Sequence, residues 1–149
     1  METVVKDLME LFERDIDRLQ KELELTPDAI LWKTAGQINN SPGNLFLHLA
    51  GNLQHFIGAV IGKTPFVRDR EGEFGKKGLP KSELASELQA TRKAVLETLA
   101  KMTSEQLHSN YPIEVFGKPM TTQNFLIHLS GHLNYHYGQI NYFRRIVAS

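Results

Sequence analysis

Along four stretches of the chain, apolar side chains recur every three or four residues, the spacing that lines one face of a helix. The first stretch runs from about Thr3 to Leu25, with Val4, Leu8, Leu11, Phe12, Ile16, Leu19 and Leu23 on one face and charged residues on the other. Thr26-Pro27-Asp28 then predicts a cap and a first-turn proline, opening a short helical piece with Ile30, Leu31 and Trp32, which Asn39-Asn40 closes. Ser41-Pro42 opens a second helix to about Ile61, with Leu45, Leu49, Leu53, Phe56, Ile57 and Val60 apolar. Residues 62–79 hold Gly62, Pro65, Gly72, Gly75, Gly78 and many charges, and predict a long loop. A third helix follows Pro80 to about Met102, with Leu84, Leu88, Val95, Leu99 and Met102 inward. Thr103-Ser104-Glu105-Gln106 is a capping box for a brief helical turn. Residues Ile113 to Lys118 alternate and then turn, predicting a short extended pair. The last helix starts near Thr121 and runs to about Val147, long enough at roughly 1.5 Å per residue to cross a domain.

Four amphipathic helices, each with one stripe to bury, predict an all-α fold, a four-helix bundle forming a single domain over residues 1–149. There is no internal repeat and no low-complexity tract. All three connections are long enough to cross the bundle, so the order of the helices within it stays open.

Composition narrows the function. Lysine plus arginine and aspartate plus glutamate number 17 each, so no net charge draws the chain toward nucleic acid or an anionic membrane. With no cysteine, disulfides, thiolate zinc sites and a cysteine nucleophile are excluded, and any thiol chemistry would use the substrate's thiol. The N-terminus carries acidic residues and no long apolar run, and no later stretch is long and apolar enough to span a bilayer. These features predict a cytoplasmic protein.

The candidate chemistry lies in the histidines. His48 and His55 fall on the second helix, His108 in a connector, and His128, His132 and His136 on the last helix. Residues four apart are offset by only about 40 degrees and one turn, so His132 and His136 can aim two ring nitrogens at one ion. His48, flanked by Leu45, Leu49 and Ala50 near the inward face of its helix, is the best third ligand. Three neutral imidazoles with open positions suit a divalent metal such as zinc, nickel, iron or copper. His128 continues the stripe and is expected in the core or just behind the ligands, His55 is expected to line the site or stand in as a ligand, and His108 to face solvent. Asn52 and Gln139, one turn beyond His48 and His136, are placed either behind the ligands or in ordinary helix–helix hydrogen bonds. Tyr135 and Tyr142 are expected to pack in the core, although closing a pocket is the alternative. Arg68, Asp69 and Arg70 either lie over the metal toward an anionic substrate or sit in a solvated loop.

Other constellations fail. Glu105-Gln106-Leu107-His108 matches half of a di-iron bundle motif, but the second half is absent. There is no His-Glu-x-x-His pattern and no nucleophile elbow.

The stretches Asn40-Ser41-Pro42-Gly43-Asn44-Leu45-Phe46-Leu47-His48-Leu49-Ala50-Gly51-Asn52 and His128-Leu129-Ser130-Gly131-His132-Leu133-Asn134-Tyr135-His136-Tyr137-Gly138-Gln139-Ile140 resemble the DinB superfamily, which includes the YfiT-like thiol S-transferases. The resemblance spans nearly the whole chain. It implies a bundle in which His48, His132 and His136 bind one divalent metal (zinc, nickel or iron), a tendency to form homodimers, and stress-linked expression without DNA binding. Where many members carry arginine after the last ligand, this chain has Tyr137. For some members the resemblance implies transfer of a low-molecular-weight thiol to an electrophile.

The leading expectation is therefore a metal-dependent transferase or hydrolase that activates a thiol or water for a small-molecule substrate. A metal- or ligand-binding stress protein without turnover is the alternative, and an empty bundle acting only through dimer contacts is a third.

Overall fold

Capping residues open two of the four long helices where the sequence placed them. Ser41 accepts a hydrogen bond from the Asn44 backbone at 3.2 Å, with Pro42 in the first turn, and Thr121 accepts one from the Asn124 backbone at 3.1 Å. The computed structural model describes residues 1–148; Ser149, the last residue of the predicted domain, lies outside them. Among the described residues the chain is all-helical: α1 (Thr3–Leu25), α2 (Asp28–Leu31), α3 (Pro42–Leu53), α4 (Arg70–Gly75), α5 (Lys81–Ala100), α6 (Ser104–His108) and α7 (Thr122–Val147).

The four long helices form a four-helix bundle in which α1 and α3 each pack against both α5 and α7. Contacts between side chains give the directions. Asp15 meets Asn134 and Glu22 meets Asn141, so α1 and α7 run parallel. Lys81 reaches the Thr26 carbonyl while Arg92 reaches Asp17 and Glu13, so α5 opposes α1. His48 faces His132 while Phe56 faces Phe125, so α3 opposes α7. The order is therefore up, down, down, up. Because α3 and α5 run the same way, the chain between them must return along the bundle's length, which carries it past His48.

The core is built from the predicted stripes, including Phe12, Ile16, Leu19, Leu49, Val95 and Leu99, all buried. No described helix is long and apolar enough to cross a membrane.

Three local expectations are corrected. The 62–79 loop contains α4, because the Asp69 side chain accepts from the Gly72 N–H at 3.0 Å and so supplies a helix cap. Asn44 pins that helix by donating to the Glu73 and Lys76 carbonyls, each at 2.9 Å. The Ile113–Lys118 pair forms no strand among the described residues; there is one isolated bridge, Asn110 to Thr121. Pro112 and Pro119 flank the segment and remove the donors a ladder needs. Finally, α3 does not stay α-helical to Ile61: residues Gln54–Ala59 widen into a π-helical turn, with Val60 bonded back to His55 at 2.9 Å and Gly62 to Ile57 at 3.0 Å.

Candidate metal centre

Helix α3 has hardly any polar face; from Pro42 to Leu53 only Leu47 is not buried, which puts His48 itself at 6% exposure. Opposite it, α7 presents His132 and His136 from successive turns. The three rings are mutually near-perpendicular: His48 to His132 at 5.1 Å and 78°, His48 to His136 at 5.1 Å and 89°, His132 to His136 at 4.6 Å and 86°. One nitrogen from each lies within 4.8 Å of the others.

The Nε2 atoms of His48 and His132 stand 3.3 Å apart. Two imidazole nitrogens bound to one tetrahedral zinc ion at about 2.0–2.1 Å would be separated by about 3.3 Å. Two such lone pairs repel unless a proton or a cation lies between them. Burial, reinforced by the positive potential of His136, His48, His128 and Arg68, pulls His132 down to about 4, so its ring is neutral at pH 7 and free to donate a lone pair. His136 is also lowered, mainly by burial, although its bond to Gln139 pushes the other way.

Groups behind the rings set their tautomers. His48 Nδ1 lies 3.0 Å from Glu73 Oε1, and His136 Nδ1 lies 2.7 Å from Gln139 Oε1. An Nδ1–H donated in each case leaves Nε2 unprotonated toward the centre. Glu73 is 6% exposed and receives Arg68 through Nε at 2.8 Å and Nη2 at 3.0 Å. Burial raises the Glu73 pKa, but the hydrogen bonds from His48 and Arg68 and the Arg68 charge outweigh it, so the carboxylate sits below its usual range. Gly51 makes room for this carboxylate, since a Cβ there would overlap Glu73 Oε2. Phe74 packs on the His48 ring at 4.8 Å. The chain thus builds a carboxylate–histidine pair aimed at a three-nitrogen centre, a donor set that can hold a divalent metal ion.

Two buried atoms at this seam have no hydrogen-bond partner among the described residues: His132 Nδ1 and Asn52 Oδ1. Asn52 Oδ1 therefore accepts no hydrogen bond from a ligand ring or from another helix. Gln139 bonds a ring on its own helix rather than a neighbouring one.

The other singled-out residues fall elsewhere. His55 sits in the π-helical turn against Phe56, half-buried and lowered by burial and by Arg68, and is not among the three converging rings. His128 is exposed, not in the core; its ring lies near Phe116, Phe125 and His132. Tyr135 and Tyr142 are 64% and 66% exposed rather than packed, because α7 meets α1 and α3 on other faces. Tyr135 lies edge-on to His136 at 5.1 Å. His108 is exposed, as expected. Arg68 neither hangs over the centre as a free cation nor sits in solvent: it is locked to Glu73, while Asp69 caps α4 and Arg70 lies over Phe74. Glu73 was missed. The Asp69 cap was a readable signal for its helix; its pairing with His48, 25 positions away, was not.

Comparison with known proteins agrees with this architecture. The sequence model of the DinB superfamily matches residues 11–140. A solved DinB-like protein from Bacillus cereus superposes with a TM-score of 0.76 at 20% identity, over 96% of this chain and 92% of its own. The DinB-like protein YjoA from Bacillus subtilis superposes with a TM-score of 0.73 at 15% identity and the same two coverages. At these identities the likeness speaks to fold alone. No curated protein matches the chain significantly.

Proposed function

The chain belongs to the DinB superfamily, and from that premise we propose that His48, His132 and His136 hold one divalent metal ion in a metal-dependent transferase or hydrolase. The observation that carries this reading is the convergence of three imidazoles within 4.8 Å, two with their far nitrogens engaged by Glu73 and Gln139. A structural site saturates its metal with four protein groups, whereas three leave a position for water or substrate. Bound there, zinc, nickel or iron would lower the pKa of a thiol or water so that it is ionised near neutral pH.

The chain's own residues do the rest. Glu73, anchored by Arg68, holds the His48 proton on Nδ1, and Gln139 does the same for His136. Phe74 and the buried wall of α3 keep water from the back of His48. With no cysteine in the chain, a transferred thiol is the substrate's own.

Elemental analysis of untagged protein tests the proposal. About one equivalent of a divalent metal per chain is expected, falling to background in His48→Ala and His132→Ala. Unchanged metal content in both variants ends it. Turnover of a thiol with an electrophile, or of a hydrolysable substrate, by metal-loaded protein alone separates an enzyme from a metal-binding protein without turnover.

A further inference from the structure

A groove of about 790 Å³ runs beside the histidine centre, between the C-terminal half of α7 and the segment joining α2 to α3. Its floor is the core itself, with Pro42, Leu45, Ile140 and Phe143 all buried. Its rim includes Ile38, Tyr135 and Tyr142, all exposed. His136 and Gln139 line the same groove, so it abuts the ring that Gln139 orients. Among the described residues, no aspartate, glutamate, lysine or arginine lines it; Gln37, Asn39 and Asn40 supply neutral polar groups. The charged groups behind His48, Glu73 and Arg68, belong to the 68–75 segment and take no part in the groove.

We infer that this groove seats the substrate, and that the substrate is a neutral, largely apolar small molecule whose reacting end lies against His136. The volume falls within the roughly 300–1,000 Å³ usual for small-molecule sites, and a few neutral polar groups beside an apolar floor are the usual lining. A charged ligand would lose its hydration there without gaining a partner. A concave floor of core residues inside an exposed aromatic rim fits a compact molecule better than the convex face of a second copy. The position of the reacting end rests on the metal-centre reading; the preference for an uncharged, apolar occupant rests on the lining alone.

Two dyes with one ring skeleton test it: neutral N-phenyl-1-naphthylamine and the sulfonated 8-anilinonaphthalene-1-sulfonate, titrated by fluorescence into the full chain. The neutral dye is expected to bind one per chain, roughly tenfold tighter than the sulfonate, and Ile38→Asp at the exposed rim is expected to weaken it by roughly tenfold with helical content unchanged. In His48→Ala its affinity stays within about twofold, so failure of the metal reading and failure of the groove register separately. On cobalt(II)-loaded protein, proton resonances of the bound dye broaden. Equal affinity for the two dyes, indifference to Ile38→Asp, or dye release as the chain dimerises at high concentration overturns the groove as a substrate seat. A dye bound to the cobalt protein without broadening overturns its position beside His136. If cobalt does not bind, the metal reading falls, and the two dyes alone decide the groove.

Discussion

Helix α7 buries polar groups on two of its sides, and the two seams are built on opposite terms. Against α1, Asp15 and Glu22, seven residues apart and both nearly inaccessible, meet Asn134 and Asn141, also seven apart. Every carboxylate is answered: Arg14 and Arg18 close Asp15, and Arg144 closes Glu22. Against α3, three imidazoles converge with two ring nitrogens facing each other, and His132 Nδ1 and Asn52 Oδ1 go unanswered. A buried polar group without a partner lowers stability by about 1–3 kcal/mol, so each orphaned atom of the second seam costs stability that a bound ligand could return. The lesson is that satisfaction, more than burial, distinguishes a polar seam that specifies helix pairing from one prepared for a ligand.

Arg144→Ala breaks the paired seam most severely. It leaves the Glu22 carboxylate buried beside Asn141 alone, and a loss of about 3–5 kcal/mol is expected in urea denaturation of metal-free protein, with metal content unchanged. His132→Leu in the open seam is expected to do the reverse: metal binding is lost, while metal-free stability stays within about 1 kcal/mol or rises, since an orphaned ring nitrogen goes with the ring. A large loss of stability in His132→Leu would erase the contrast.

Acid sharpens it next. Unfolded histidine takes up a proton near 6.5, whereas His132 in the fold does so only near 4. Its contribution is thus fully present above about pH 6.5, declines as the pH falls toward 4, and changes no further below that. Discounted for partial exposure, roughly 1–3 kcal/mol of metal-free stability is at stake in that window, measurable by denaturation at stepped pH, and His132→Leu should flatten the profile. Glu73, lowered in the fold, adds a further decline below its ordinary range near 4.5.

Glu73→Gln tests the buttress behind His48. Metal affinity is expected to fall about 10- to 100-fold by competition with a chelating dye, with the ring still in place. The smallest effect is expected of His128→Ala, which should leave stability within about 0.5 kcal/mol and metal content intact, because the ring is exposed and outside the triad.

Helix spacing along the chain was enough to determine the all-helical class, the four long elements and the candidacy of His48, His132 and His136, because periodicity and capping are local properties of consecutive residues. The same logic misplaced His128 and favoured the core over the pocket rim for Tyr135 and Tyr142, since a position on a stripe does not say how wide the neighbouring helix is or where its cover stops. Tertiary structure alone decided the up, down, down, up order, and with it the return of the 62–79 segment along the bundle. That return brings Glu73 and Arg68 to the back of His48, a meeting no spacing rule contains, because it depends on which helices are neighbours and not on what any one helix prefers. It also left the groove beside His136 open, since a cavity is the space several elements fail to fill together.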